Sequence, residues 1–294
     1  MLLRQICKLY GRQSPIATGV VHRCLSSEAK YVTVEPDSEM ENVAVVKMQK
    51  KPVNSLCSDH LHQLATTFKD LASDKKYKAA ILTSAFPGIF CAGLDLLSMY
   101  GRTQDEIYSF WSKFQQAWIN LYNSPLITVA AINGNSPAGG CVLALSCDHR
   151  VMADEKISIG LNETKVVGLM NCGIVAPFWV KDTMLNVIGF RETDRALQQG
   201  RMFSPSEAKD IGLVDKVAPL DQLMPLSREY IAEYLKVPYV PRYLTKQVMR
   251  EETIKRLTSK LHEDADFTAR FLTQEQLQKN MGVYVQALAQ KKKK

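Results

Sequence analysis

Residues 125–142 read PLITVAAINGNSPAGGCV, and the prediction of the fold starts from this stretch. Its first eight residues, 125–132, are an apolar run of the length expected for a strand that is buried on both faces. A loop with three glycines follows, and residues 143–146 continue as a short apolar segment of helical character. A strand, a glycine-rich loop and a helix in this order indicate one unit of an α/β fold.

The same order of elements recurs along the body of the chain. Apolar runs and alternations predict strands over residues 31–34, 43–48, 78–83, 125–132 and 147–153. Apolar residues at helical spacing predict a helix over residues 58–71, with Ser58 or Asp59 as its N-cap, and another over residues 103–122. We therefore predict an α/β fold with crossover connections between strands.

Helical patterns dominate the last third of the chain. Short helices are predicted over residues 176–187, 193–200 and 204–209, and an amphipathic helical region continues to residue 289. Pro238 and Pro241 are expected to interrupt it, because proline has no backbone N–H to donate within a helix. The predicted organisation is a fold core over residues 28–220, a helical region over residues 221–290 and a basic tail over residues 291–294.

The net charge of +7 is concentrated at the two ends of the chain. Residues 1–27 carry four basic and no acidic residues, and residues 291–294 are four lysines, so the body between them is close to neutral. A neutral body lacks the basic surface by which proteins bind nucleic acid. No run of eighteen apolar residues occurs either. We expect neither a nucleic-acid partner nor a membrane span.

The first 27 residues have the composition of a mitochondrial transit peptide. They are basic, lack acids, contain Ser and Thr, and carry Leu2, Leu3, Ile6 and Leu9 at spacings that suit an amphipathic helix. Cleavage is expected near residues 26–27. This segment predicts that the mature protein resides in the mitochondrial matrix.

Cysteine and histidine spacings indicate neither a disulfide framework nor a metal site. The seven cysteines include no Cys-x-x-Cys pair, which predicts reduced thiols in a compartment outside the secretory route. His60 and His62 would point to different sides of a helix, and no His–Cys cluster has the spacing of zinc ligands. We expect no metal.

Two glycine-containing loops leave successive predicted strands, at residues 92–95 (AGLD) and 138–140 (AGG). Glycine lets a backbone N–H approach a ligand closely, and the first N–H groups of a helix are unpaired at the positive end of its dipole. Two such donors that converge would stabilise negative charge on a carbonyl oxygen, as an oxyanion hole does. Taken alone, each loop is also typical of turn or helix-packing glycines.

Residues 158–164 (SIGLNET) place one carboxylate, that of Glu163, among small and apolar residues. Burial disfavours an ionised carboxylate, so the pKa of such a group rises toward the pH at which a base transfers protons efficiently. Glu163 is therefore a candidate catalytic base. The alternative from this stretch alone is an acid in a turn or on the surface.

In order and spacing, these motifs resemble the crotonase (enoyl-CoA hydratase/isomerase) superfamily. The matching segments are residues 90–96 (FCAGLDL), 131–134 (AING), 137–141 (PAGGC), 146–150 (SCDHR) and 160–163 (GLNE). The resemblance covers residues 31–290 and implies the ClpP/crotonase-like fold of repeated ββα units with a C-terminal helical region. A narrower resemblance to isomerases that act on 3-enoyl-CoA is carried by residues 52–56 (PVNSL), 92–95, 160–164 and 176–179 (APFW).

The resemblance also implies a role for each site residue. The backbone N–H groups of Leu94 and Gly139 would hold the thioester oxygen of an acyl-CoA, and Glu163 would carry a proton from C2 to C4. The residues expected to line the substrate are Cys91, Ala92, Gly93, Leu94, Asp95, Gly139, Gly140 and Asn162. CoA would enter as part of the substrate, so no separate cofactor is expected, and the family implies a homotrimer.

Val142 bears on the choice of reaction. Hydratases of the superfamily place a second glutamate directly after Gly-Gly-Cys, where this chain has Val142. Because valine cannot deprotonate water, the resemblance favours isomerisation of 3-cis- or 3-trans-enoyl-CoA to 2-trans-enoyl-CoA, a step in the β-oxidation of unsaturated fatty acids. The alternatives are a hydratase-type activity and a non-catalytic RNA-binding module of the same fold.

Residues 167–172 (VGLMNC) are an addition of about six residues relative to the spacing of the superfamily. They begin four residues after Glu163. Because a misplacement of about 1 Å can cost on the order of a hundredfold in rate, an addition at this point matters. Either it bulges away from the base or it displaces the base and impairs activity.

Overall fold

The computed structural model describes residues 29–166 and 175–291. The predicted transit segment over residues 1–27, the added residues 167–172 and the last three lysines lie outside the described residues. Within the described part of the chain, no helix combines the length and apolar character needed to cross a membrane.

The strands that the structure describes form two sheets. Their bounds are β1 Val32–Pro36, β2 Val43–Met48, β3 Ala79–Ser84, β4 Gly88–Ile89, β5 Ile127–Ile132, β6 Gly134–Pro137, β7 His149–Ala153, β8 Ile159–Gly160 and β9 Lys216–Ala218. The main sheet has the order β1-β2-β3-β5-β7-β9, with β1 antiparallel to β2 and the other neighbours parallel. The smaller sheet has the order β4-β6-β8 and is parallel.

Helices cover the sheets and make up the C-terminal region. Their bounds are α1 Ser58–Ser73, α2 Gln104–Tyr122, α3 Gly139–Ser146, α4 Glu163–Val166, α5 Phe178–Gln199, α6 Pro205–Asp210, α7 Leu223–Leu235, α8 Tyr239–Thr258, α9 Leu261–Leu272 and α10 Glu275–Lys291. The apolar faces of α1 and α2 pack against each other beside the main sheet, as their helical spacing of buried residues requires.

The α/β prediction is confirmed, and the predicted strands of the main sheet agree with the structure to within about two residues at each end. β3 and β5 are buried along their whole length, as expected for strands with both faces covered. The strands of the smaller sheet were not predicted, because runs of two to four residues show no usable periodicity. The domain boundaries stay predictions.

One prediction of a helix end is wrong. The N-cap of α1 is Cys57, and no side chain caps this end; Ser58 instead accepts a hydrogen bond from the Nζ of Lys113 at 2.7 Å. The prediction of two helices over residues 176–187 and 193–200 is confirmed, because α5 consists of two helical segments separated at Gly189, whose φ of 73° and ψ of 174° are not helical. Glycine adopts this positive φ without steric strain, so the chain bends between the two segments.

Of the two prolines expected to interrupt the C-terminal helices, only Pro238 does so. It is the N-cap of α8, where its φ is −54°. Pro241 lies inside the first turn of α8. The N–H groups of a first turn have no partner within the helix, so a proline there removes no hydrogen bond.

One carboxylate joins three helices around the aromatic core. The Oδ2 of Asp264, on α9, accepts hydrogen bonds from the Nε1 of Trp111 at 2.8 Å, the Nε2 of Gln115 at 2.8 Å and the Nε1 of Trp179 at 3.1 Å. The three donors lie on α2 and α5, and each of these side chains is at most 4% exposed. Asp264 therefore supplies partners to polar groups that water cannot reach.

We expect Asp264→Ala to lower the free energy of unfolding by about 2–4 kcal/mol, because it leaves the buried indole N–H groups of Trp111 and Trp179 without an acceptor and leaves Gln115 Nε2 with only Leu261 O, at 3.2 Å. Urea unfolding followed by circular dichroism measures the change. Asp266→Ala is the matched control, since Asp266 lies two residues away on the same helix but forms an exposed pair with Arg270. We expect it to cost no more than about 0.5 kcal/mol. Equal losses in the two variants would contradict the role assigned to Asp264.

Candidate active site

The first glycine loop pairs with Leu56, which orients the amide of Leu94. Leu56 N donates to Gly93 O at 2.8 Å, and Asp95 N donates to Leu56 O at 3.1 Å. Since successive N–H groups of an extended segment point to opposite sides, the N–H of Leu94 points away from Leu56. Gly93 has a φ of 87°, a conformation that strains any residue with a Cβ.

The second glycine loop opens α3. Ala138 N donates to Gly160 O at 2.8 Å, and Gly139 is the first residue of the helix. Its N–H belongs to the helix end that has no acceptor within the helix, at the positive end of the dipole. Among the described residues, neither this amide nor that of Leu94 donates a hydrogen bond.

The two loops are in direct contact. A Cβ placed on Gly139 would lie 3.4 Å from Leu94 N and 3.3 Å from Gly93 Cα, and one placed on Gly93 would lie 3.2 Å from Gly139 N. The two free amides therefore lie side by side, as an oxyanion hole requires. A Cβ on either glycine would crowd the backbone of the other loop.

The smaller sheet brings Glu163 to these amides. β6 and β8 run parallel with Pro137 opposite Gly160. Gly139 follows Pro137 by two residues, and Glu163 follows Gly160 by three residues. Because the carboxyl ends of parallel strands lie at the same edge of a sheet, Gly139 and Glu163 both follow their strands at this edge.

Asn135 ties the first glycine loop to the same edge. Its backbone oxygen accepts from Phe90 N at 3.0 Å and Cys91 N at 3.2 Å, and its Oδ1 accepts from Ser158 N at 2.9 Å. One residue of β6 thus contacts the segments on both sides of it. Asn135 was not predicted as a site residue, because its partners lie 45, 44 and 23 residues away in the chain and no local pattern identifies it.

Glu163 is the first residue of α4, and its carboxylate is largely enclosed. Its Oε2 is buried and has no hydrogen-bond partner in the described part of the chain. Burial raises the pKa of Glu163 from 4.5 to about 7, opposed only by a hydrogen bond from its own backbone amide. Thr164 anchors the helix by donating to Leu197 O at 3.0 Å. Glu163 is thus poised to accept a proton near neutral pH.

The remaining predicted substrate contacts differ in their surroundings. Asn162 is half-buried, and its Oδ1 has no partner within the described residues, so it is available to a ligand. Gly140 instead faces the first loop, because a Cβ there would lie 2.3 Å from Cys91 O. The Ala92 amide donates to Val53 O at 3.0 Å. Substrate contacts by these residues stay predictions.

Cys91 and Asp95 are engaged inside the protein. The Cys91 thiol donates to Asn54 O at 3.1 Å, and burial raises the pKa of Cys91 to about 12, so the thiol stays protonated. The Asp95 carboxylate accepts from Lys50 Nζ at 3.0 Å and Ser55 Oγ at 3.1 Å. Lys50 was not predicted, and Ser55 was named only within residues 52–56 with no role, since nothing local relates them to a residue 40 or more positions away.

No metal centre accompanies the site in the described residues. Across residues 29–166 and 175–291, no three His, Cys, Asp or Glu side chains are grouped as metal ligands would be. The groups that the structure offers for chemistry are the buried carboxylate of Glu163 and the two free amides of Leu94 and Gly139.

A buried carboxylate of raised pKa and two free backbone amides, all in loops that follow strands of one α/β fold, are what the resemblance to the crotonase class of acyl-CoA enzymes predicts. The chain matches the family model described as enoyl-CoA hydratase/isomerase over residues 38–293, and it belongs to this family. It is 46% identical over 264 residues to mitochondrial enoyl-CoA delta isomerase 1 of Mus musculus, covering 90% of this chain and 89% of that protein.

A human protein and a human crystal structure show the same similarity to enoyl-CoA isomerases. The chain is 42% identical over 265 residues to mitochondrial enoyl-CoA delta isomerase 1 of Homo sapiens, covering 90% of this chain and 85% of that protein. It also superposes on the crystal structure of human mitochondrial delta3-delta2-enoyl-CoA isomerase with a TM-score of 0.84 and 42% identity, covering 90% of this chain and all of that one.

Proposed function

We propose that this protein is a Δ3,Δ2-enoyl-CoA isomerase, which converts 3-cis- or 3-trans-enoyl-CoA to 2-trans-enoyl-CoA in the β-oxidation of unsaturated fatty acids. The observation that carries the proposal is the single buried carboxylate of Glu163, with a pKa of about 7, beside the free amides of Leu94 and Gly139. The family and its isomerase relatives support the same reaction.

The proposed mechanism needs one base and one anion site. Glu163 removes a proton from C2, the C2–H electrons move into the conjugated system, and the thioester oxygen becomes negative. The amides of Leu94 and Gly139 hold that oxygen, and each donor contributes about 3–4 kcal/mol to the stability of the dienolate. Glu163 then returns the same proton to C4, and the double bond forms between C2 and C3.

Val142 supports isomerisation over hydration. Its side chain is 2% exposed and lies on α3, three residues after Gly139. A valine can neither orient nor deprotonate a water molecule for addition to the double bond. An apolar residue also keeps water away from the dienolate.

The proposed function is tested by a spectroscopic isomerase assay of the purified mature protein on 3-hexenoyl-CoA and 3-dodecenoyl-CoA side by side. We expect 2-trans-enoyl-CoA to form from at least one of the two substrates. Conversion of neither substrate would overturn the proposal. Formation of 3-hydroxyacyl-CoA from 2-trans-enoyl-CoA at a comparable rate would favour the hydratase alternative.

We expect kcat/KM to rise about tenfold per pH unit up to about pH 7 and then to level off. Glu163 must be ionised to act as a base, and burial raises its pKa in the free protein to about 7. Initial rates on 3-hexenoyl-CoA between about pH 5.5 and pH 8.5 measure the profile, and circular dichroism over the same range checks that the fold persists. A kcat/KM that is constant over this range would contradict the raised pKa of Glu163.

We propose that the protein acts in the mitochondrial matrix, with residues 1–27 as the transit segment, and that it needs no cofactor beyond the CoA of its substrate.

We further infer a homotrimer. On α8, Val240, Leu244 and Val248 recur every four residues and are 61%, 42% and 70% exposed, which suits an apolar face covered by another copy. Sedimentation equilibrium of Leu244→Glu tests this: a mass unchanged from that of the wild type would argue against this face as the contact.

A further inference from the structure

Lys50, Ser55 and Asp95 form a closed group of hydrogen bonds next to the oxyanion hole. The Nζ of Lys50 donates to Ser55 Oγ at 2.8 Å and to Asp95 Oδ2 at 3.0 Å, and Ser55 Oγ donates to the same Asp95 oxygen at 3.1 Å. The Lys50 and Asp95 side chains are only 13% and 17% exposed. An ion pair this shielded holds its geometry better than a pair on the open surface.

Two members of this group, Ser55 and Asp95, are the chain neighbours of Leu56 and Leu94, whose backbone bridge orients the Leu94 amide. Ser55 precedes Leu56 and Asp95 follows Leu94, and these two inner residues form the isolated parallel bridge. The hydrogen bond between the side chains of Ser55 and Asp95 therefore links the two bridged segments, in addition to the backbone hydrogen bonds of the bridge itself. Asp95 also holds the chain beyond the bridge, because its Oδ1 accepts from Leu97 N at 3.2 Å.

His60 holds the Ser55 side of the bridge. Its Nδ1 lies 3.1 Å from Ser55 O, so the Nδ1 carries the proton and donates it to that carbonyl. The ring is fully buried, and burial lowers the pKa of His60 to about 4, so the ring is neutral at physiological pH. Ser55 is thus tied to α1 by its backbone and to the glycine loop by its side chain.

We infer that Lys50 is a positioning residue of the oxyanion hole: its ion pair with Asp95 and its hydrogen bond to Ser55 set the direction of the Leu94 amide. The inference rests on the proposed function. Lys50 acts through Asp95 and does not touch the substrate. Because an oxyanion hole acts only when its donors point at the developing charge, loosening this group lowers the rate of the chemical step more than it weakens substrate binding.

Lys50→Met tests the inference, since methionine keeps the unbranched stem and removes the ammonium. We expect kcat on 3-hexenoyl-CoA to fall about tenfold while KM changes less than about twofold, because the Leu94 amide is misdirected rather than lost. Lys47→Met is the matched control: Lys47 lies three residues earlier and forms an exposed pair with Glu35. We expect its kcat to equal that of the wild type.

A spectroscopic measurement separates positioning from general destabilisation. Hexanoyl-CoA labelled with ¹³C at the thioester carbonyl binds without reacting, and hydrogen bonds from the oxyanion hole shift its carbonyl resonance downfield. We expect a smaller shift in Lys50→Met than in the wild type, and the wild-type shift in Lys47→Met. Lys50→Arg, which keeps a cation, should recover part of both kcat and the shift, and it serves as the test variant if Lys50→Met does not fold.

Asp95→Asn completes a double-mutant cycle. If Lys50 acts through Asp95, the double variant Lys50→Met/Asp95→Asn loses no more activity than the more impaired single variant. Fully additive losses overturn the shared role. Wild-type kcat and carbonyl shift in Lys50→Met also overturn the inference, and so does a raised KM with unchanged kcat, which would assign Lys50 to a phosphate of CoA.

Failure of the proposed function is distinguishable from failure of this inference. A wild-type protein that converts no 3-enoyl-CoA overturns the proposed function, whereas the carbonyl shift of bound hexanoyl-CoA still reports on the oxyanion hole. A wild-type protein that is active, with Lys50→Met equally active, overturns the inference alone.

Discussion

Glu163→Gln is expected to lower kcat on 3-enoyl-CoA by about 10³- to 10⁴-fold, with little change in KM. Glutamine has nearly the same shape as glutamate but cannot accept the C2 proton, so the variant loses the base and keeps the pocket. The isomerase assay on 3-hexenoyl-CoA measures the loss. A large effect is expected because the proposed mechanism uses this one carboxylate for both proton transfers.

Glu155→Gln is the control for the charge change. Glu155 is exposed in the turn before β8, eight residues ahead of Glu163. We expect wild-type kcat from it. Wild-type conversion by Glu163→Gln would exclude Glu163 as the base and contradict the proposed mechanism.

Glu163→Gln is also expected to change how the free energy of unfolding depends on pH. The pKa of Glu163 is about 7 in the folded protein and 4.5 without burial, so the folded state holds the proton more tightly. The stability that the protein gains by holding this proton on Glu163 is therefore fully present below about pH 4.5 and is lost as the pH rises through about 7. Relative to the wild type, Glu163→Gln should gain up to about 3 kcal/mol between these values. Urea unfolding at about pH 5 and pH 8 measures the gain.

Gly139→Ala is expected to lower kcat by about 10²- to 10³-fold, the loss seen when an oxyanion donor is removed. The added Cβ would lie 3.4 Å from Leu94 N, 3.3 Å from Gly93 Cα and 3.0 Å from the Cδ1 of Leu56. It therefore crowds the Leu94 amide, which the proposed function assigns to the thioester oxygen together with that of Gly139. The tightest of these contacts is with the end of a flexible Leu56 side chain, and the two backbone contacts are close to ordinary van der Waals distance, so we expect a shift of a few tenths of an ångström to accommodate the methyl group.

Gly140→Ala should behave in the opposite way. Its Cβ would lie 2.3 Å from Cys91 O and 3.1 Å from Cys91 C, and a backbone carbonyl cannot move aside as a side chain does. We expect this variant to lose stability first, with a lower midpoint of thermal unfolding, and Gly139→Ala to keep a midpoint close to that of the wild type. Full activity in a folded Gly139→Ala would contradict the assignment of the Gly139 amide to the oxyanion hole.

Much of the main sheet was predictable from local patterns, and Glu163 was singled out as the candidate base in the same way. The apolar runs that became β3 and β5 are buried on both faces, and this burial is what makes such runs recognisable. Thr103 and Glu106 form a capping box at the start of α2, where the helix was predicted to begin. The N-cap of α1 was wrong because Ser58 has a distant partner, Lys113. A side-chain contact across 55 residues leaves no trace in a local pattern.

By itself, the sequence determined the class of fold, the two glycine loops and the one carboxylate in an apolar setting, because periodicity, backbone freedom and residue type are local properties. Only the tertiary structure decided that β6 pairs with β8 and so brings Gly139 and Glu163 together, and that Lys50 reaches Asp95 across 45 residues. It also decided the pKa of Glu163. A carboxylate becomes a base near neutral pH only when distant segments exclude water from it, and that exclusion exists only in the folded chain.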